Sequence, residues 1–146
     1  MKSPSPDSTL FSALILLSRI ALGLFFLLAG VGKIIGGVGE FVQGPFAGLQ
    51  PGWLPDVIAM PYGYALPFVE TTVGALLVLG LFGRVAAGVC ALLLISFLLV
   101  IGITHKALPF QPNVIFLSLA LLLTGVGPWR LSVDAILYRK RRRRSH

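Results

Sequence analysis

The stretch VAAGVCALLLISFLLVIGI, Val85 to Ile103, runs for nineteen residues without a charge. A bilayer core about 30 Å thick is crossed by about 20 apolar residues at 1.5 Å rise per residue, so this segment can span. The same reading extends to both sides of it. Ala107 to Trp129 holds twenty-three uncharged residues, Val57 to Gly83 is apolar except for Glu70, and Ser8 to Gly32 is apolar except for Arg19. Buried helices of a soluble protein would need a polar face on most of them, and none of these stretches has one. Composition agrees, with 56% hydrophobic residues, 12% charged and a mean hydropathy of +0.92, where soluble domains carry about 25% charged residues. Disordered, collagen-like and disulfide-rich classes are excluded, the last by a single cysteine, Cys90. The expected fold is an all-α integral membrane four-helix bundle in one domain, residues 1–138. Its spans lie at about 9–32, 57–82, 85–104 and 108–128, with a short helix at 130–138 and a tail at 139–146.

Net charge is +7, yet seven of the twelve Lys and Arg lie at or after Arg130. The run Arg139, Lys140, Arg141, Arg142, Arg143, Arg144 marks a cytoplasmic end by the positive-inside rule. Four spans then place Lys2 and Arg84 on the cytoplasmic side and Lys33 and Lys106 outside, so both termini are cytoplasmic. The first apolar stretch exceeds the roughly 7–15 residues of a signal-peptide core, which favours an uncleaved anchor. The tail is read as a topology signal and a contact for anionic lipids, worth about 1 kcal/mol per residue. No aromatic or base-reading motif accompanies it, so a nucleic-acid partner is not expected.

Nine of the seventeen glycines fall between Gly30 and Gly63, and five of the ten prolines between Pro45 and Pro67. Trp53, Tyr62 and Tyr64 suit the headgroup level. Glu40 to Pro55 reads either as an ordered re-entrant or interfacial excursion on the outer face, with a short helix as one form it can take, or as a flexible loop.

Arg19 and Glu70 both fall near the middle of apolar stretches. A charge at the bilayer centre costs at least about 2.5–3.5 kcal/mol to insert, so the economical expectation is that these two pair inside the bundle. Arg19, Gly23, Phe26, Gly30 and Lys33 follow steps of four and three, one stripe of a helix; Glu70, Gly74, Leu77, Leu81 and Arg84 make a second. Small residues beside the charges let helices approach closely, which assigns Gly23, Gly30, Gly74 and Gly80 to helix packing. Pro61 and Pro67, just before Glu70, predict a bend or irregular start in the second span. Catalytic groups are harder to find. No histidine pair sits at matched depth for haem, Cys90 has no partner for dithiol exchange, and no phosphate loop, metal-ligand cluster or nucleophile–base pair is present.

The pattern Arg19-x3-Gly23-x2-Phe26-x3-Gly30-x2-Lys33 resembles the first span of the DoxX family of small four-span bacterial membrane proteins. Glu70-x3-Gly74 and Leu79-Gly80-Leu81-x2-Arg84 extend the resemblance. Asn113 at the start of the fourth span and Gly125-x-Gly127-x4-Ser132-x-Asp134 complete it. The resemblance implies an inner-membrane four-helix bundle. Some members of that family resemble the DoxD subunit of thiosulfate:quinone oxidoreductase, and others belong to membrane oxidoreductase complexes that handle thiols and oxidative stress.

Two readings follow. In the first the chain is the membrane subunit of a quinone-linked oxidoreductase system with a soluble or membrane partner. A quinone would then sit at a buried polar site formed by Arg19, Lys33, Glu70, Arg84 and Asn113. In the second the protein is non-enzymatic, a solute-permeation or assembly factor, and its buried charges only hold the bundle together. No covalent cofactor and no metal is expected in either.

Overall fold

The computed structural model describes residues 6–104 and 110–126, together with Ser132 and Asp134. Among the described residues the regular elements are all helices, with no strand. Helix α1 is Pro6–Ile35, α2 is Val38–Phe41 and α3 is Ala47–Leu49, the last two joined by a π-helical turn at Val42–Phe46; α4 is Asp56–Leu79, α5 is Gly83–Thr104 and α6 is Phe110–Gly125. Within them, Thr9–Ile35, Asp56–Leu79 and Gly83–Val100 are long and apolar enough to cross a membrane. At 1.5 Å per residue α4 is about 36 Å long and α6 about 24 Å, so described α6 falls short of a full crossing. The remainder of the expected fourth span lies outside the described residues, as do the basic tail and all but Ser132 and Asp134 of the expected 130–138 helix. Large apolar side chains face outward on every long helix, among them Leu28 at 67%, Leu92 at 67% and Ile115 at 66% exposure. That surface suits lipid, not water. This is a membrane helical protein.

The most extensive contact is between α1 and α4, followed by α5 with α6. Glycine spacing explains the first. A Cβ on Gly30 would stand 2.6 Å from the Pro67 carbonyl oxygen, and one on Gly74 would stand 2.7 Å from the Gly23 carbonyl oxygen. The two backbones therefore touch, the geometry that small residues permit in membranes. Leu22, Phe26, Leu77, Cys90, Leu94 and Leu123 fill the core beside this seam.

Gly80 ends α4 in the left-handed conformation, φ 73°. The Gly80 amide donates to the Leu77 carbonyl at 3.2 Å and the Leu81 amide to the Leu76 carbonyl at 3.0 Å, which is a Schellman cap. Leu81 and Arg84 therefore leave the stripe that begins at Glu70, and Arg84 belongs to α5. Of the bend or irregular start expected at the prolines, the irregular start is not found, because α4 runs as one helix from Asp56 through both Pro61 and Pro67. Loss of two amide donors frees carbonyls without interrupting the run.

The segment between the first two long helices is ordered. Gly37, at φ 95°, turns the chain out of α1, and residues 38–49 then form a helical strap. Pro45 sits inside its π turn, where a missing amide costs no regular α-helical bond. Gln50 closes the strap, its Nε2 donating to the Leu54 carbonyl at 2.9 Å and to Asp56 Oδ1 at 2.8 Å.

Candidate functional site

Because Gly30 lies on Pro67 and Thr71, the next turn of α1 brings Lys33 to the level of Glu70. Lys33 Nζ meets Glu70 Oε2 at 2.5 Å, with side-chain exposures of 25% and 3%. The partner of Glu70 is thus Lys33, not Arg19. The strap supplies a second contact, with the Lys33 ammonium 5.2 Å from the centroid of the Phe41 ring, within cation–π range.

The pair stands in the wall of a partly open cavity of about 290 Å³ lined by α1, the strap, α4, α5 and the start of α6. Its lining is dominated by Phe25, Phe41, Phe46, Tyr62, Leu66, Phe97 and Val100, with Gln50, Ser96 and Asn113 as the uncharged polar side chains besides the Tyr62 hydroxyl. Tyr62 Oη lies 2.6 Å from Ser96 Oγ, and the Ser96 hydroxyl donates to the Leu93 carbonyl at 2.7 Å. Ser96 has one proton, so Tyr62 donates to Ser96 and fastens α4 to α5 beside the cavity. An open groove abuts the cavity and shares Lys33 and Phe41 with it. Its other walls include Gly32, Gly36, Gly37, Glu40 and Pro45. Lys33 is therefore the boundary between a buried carboxylate and an accessible surface.

Of the five polar positions expected at one site, Lys33, Glu70 and Asn113 meet at the cavity. Arg19 and Arg84 do not. Arg19, 3% exposed, packs on Gly80, which Ser132 also approaches, within electrostatic reach of Asp134. Gly80 is ten residues beyond Glu70, about 15 Å along α4. The matched depth inferred from apolar run lengths fails because α1 begins well before the turn that ends α4. Asp134 Oδ2 accepts from the Gly83 amide at 3.2 Å, and the Asp134 amide donates to the Gly80 carbonyl at 3.3 Å. Arg84 Nε donates to the Thr124 carbonyl at 3.1 Å. This end of the bundle is a structural clasp joining α1, the α4–α5 turn, α6 and the segment after it.

A family model, methylamine utilisation protein MauE, matches residues 11–112 of the chain. The chain belongs to the MauE family. No curated protein and no solved structure matches it. The resemblance to DoxX is corrected by the MauE match, and the thiosulfate-linked role falls with it. The physical reason lies in the motifs themselves. Gly23, Gly30 and Gly74 serve close helix approach, Gly80 serves a helix cap, and Arg84 ties α5 to α6. Any tight antiparallel pair of membrane helices shares such needs, so these residues do not separate one small membrane family from another. The MauE-matched stretch contains every lining residue of the cavity named above except Asn113.

Tyr62, Ser96, Gln50 and the strap phenylalanines were not among the residues the spacing singled out. Tyr62 had the character of a headgroup aromatic, and Ser96 was one hydroxyl in an apolar span. The clustering of aromatic, glycine and proline residues from Phe41 to Tyr62 was the available signal.

Proposed function

We propose that this protein is a membrane accessory protein of methylamine utilisation, non-catalytic by itself, with the cavity at Lys33 and Glu70 as its working site. It crosses the bilayer four times with both termini in the cytoplasm, in the bacterial inner membrane, its basic tail against anionic headgroups. The cavity opens at the outer side. The observation that carries the reading is the pairing of a buried carboxylate with a half-buried ammonium on the wall of an otherwise apolar, aromatic chamber. A charge pair used only to hold helices together does not need a chamber beside it, and burying one costs more than packing apolar groups of the same size. Family membership supplies the pathway. The experiment is complementation of a methylamine-utilising bacterium that lacks its own MauE. Wild type restores growth on methylamine, whereas Glu70→Gln at equal membrane abundance does not. Full growth with Glu70→Gln would remove the site from the function.

A second reading concerns the guest. An aromatic lining, with the Lys33 ammonium as a donor, suits the flat ring and a carbonyl oxygen of a quinone. Lipid extraction of protein purified in mild detergent tests this. Stoichiometric quinone in wild type and its loss in Glu70→Gln support it; no quinone in either counts against it.

A further inference from the structure

We infer that the cavity recognises primary alkylammonium ions, and that the Lys33 side chain is a tethered occupant of that ammonium site. The inference rests on the reading of the cavity as a ligand site and names the ligand class.

Recognition of an ammonium ion in a place of low polarity needs an anion for its charge and aromatic faces for its desolvated flank. Both are present and already hold one. The Lys33 ammonium lies 2.5 Å from Glu70 Oε2 and 5.2 Å from the Phe41 ring centroid. The carboxylate is 2% exposed at residue level, so it is committed to a cation from within the cavity or its wall. Phe25, Phe46, Tyr62 and Phe97 supply further aromatic and apolar surface around the space beside the pair. At about 290 Å³ the cavity is at the lower end of ligand pockets, which suits a small amine with a short apolar body.

Exchange is built in as well. Lys33 borders both the cavity and the open groove that carries Glu40. An incoming ammonium that takes Glu70 leaves the Lys33 ammonium to turn into that groove, where a second carboxylate awaits it. Glu70 then faces the guest ammonium, and Lys33 lies in a groove that Glu40 also lines. Lys33 therefore lowers the affinity for free amines by competing with them.

The test removes the tether. Full-length wild type, Lys33→Ala and Lys33→Ala/Glu70→Gln are purified in mild detergent. Each is titrated with n-butylammonium chloride, with potassium chloride at equal ionic strength and with n-butanol, following thermal unfolding. The expected result is saturable stabilisation of Lys33→Ala by butylammonium at concentrations roughly tenfold below those wild type needs. Potassium and butanol give no such effect, and the double variant loses the response. If Lys33→Ala is not monodisperse in potassium chloride, its yield is compared between the two salts, and butylammonium restores it. Equal responses or equal yields in the two salts overturn the inference, as does a response that survives in the double variant. Growth of the Glu70→Gln strain keeps the two ideas separate. A growth defect without ammonium binding leaves the working site in place and removes only its ligand class.

Discussion

Replacing Gly30 by alanine tests the seam that sets the whole site. An alanine Cβ there would stand 2.6 Å from both the Pro67 carbonyl oxygen and the Thr71 amide nitrogen. A relaxed carbon–oxygen contact is about 3.3 Å, so α1 and α4 must separate by about 0.7 Å along the line where they pack hardest. Overfilling of this kind costs about 1–3 kcal/mol. Gly32, two residues away on the same helix, is the internal control. Nothing lies within 4 Å of a Cβ built there, and alanine gains up to about 1 kcal/mol over glycine within a helix. That gain is common to both positions, so the two variants should differ by the overfilling cost, about 1–3 kcal/mol, with Gly30→Ala the less stable. Unfolding by a denaturing detergent in mixed micelles, followed by circular dichroism, measures the gap. If the two variants unfold within about 0.5 kcal/mol of each other, the close α1–α4 approach and the register that aligns Lys33 with Glu70 are wrong.

Two further outcomes are expected from the same assay. Removing one member of the buried pair, as in Lys33→Met, costs about 3–5 kcal/mol because the other charge is stranded. The double variant Lys33→Met/Glu70→Gln is then less damaged than the sum of the singles, and strict additivity would refute the pairing. At the other end of the bundle, Asp134→Ala removes the acceptor for the Gly83 amide and a charge near Arg19. A loss of about 1–2 kcal/mol is expected, with Arg19→Leu/Asp134→Ala costing less than the two single losses together. A cost for Asp134→Ala indistinguishable from zero would show that the clasp does not bind the chain end to the bundle.

The legible part of this fold came from periodicity and polarity. Long uncharged runs have one physical solution in a bilayer, since a helix satisfies every backbone group internally. The stripe from Arg19 to Lys33 marks the face of α1 that meets α4, because glycines at helical spacing are where two backbones can touch. A strap rich in aromatics, glycine and proline could be located from composition. A short helix was one of the forms open to it, but the choice between helix and flexible loop, and the π turn, were not legible, because weak local preferences leave a choice that packing makes. Family membership was the least legible feature. The glycines and charges quoted for it are dictated by helix contact and capping, requirements common to many small membrane bundles.

What the chain alone determined, then, is that its helices are membrane helices, and that Glu70, buried in one of them, must have a cation nearby. Which cation was beyond its reach. Run lengths place Arg19 and Glu70 at the same depth, but depth along a helix pair is a matter of register. Here register is decided by where Gly30 seats on Pro67 and Gly74 on Gly23. That seating slides α1 so that Lys33 faces Glu70 and Arg19 faces the α4 cap. Only the tertiary structure could then show that the pair borders a cavity, since its walls come from α1, the strap, α4, α5 and α6 together. No single helix carries enough of them to reveal it.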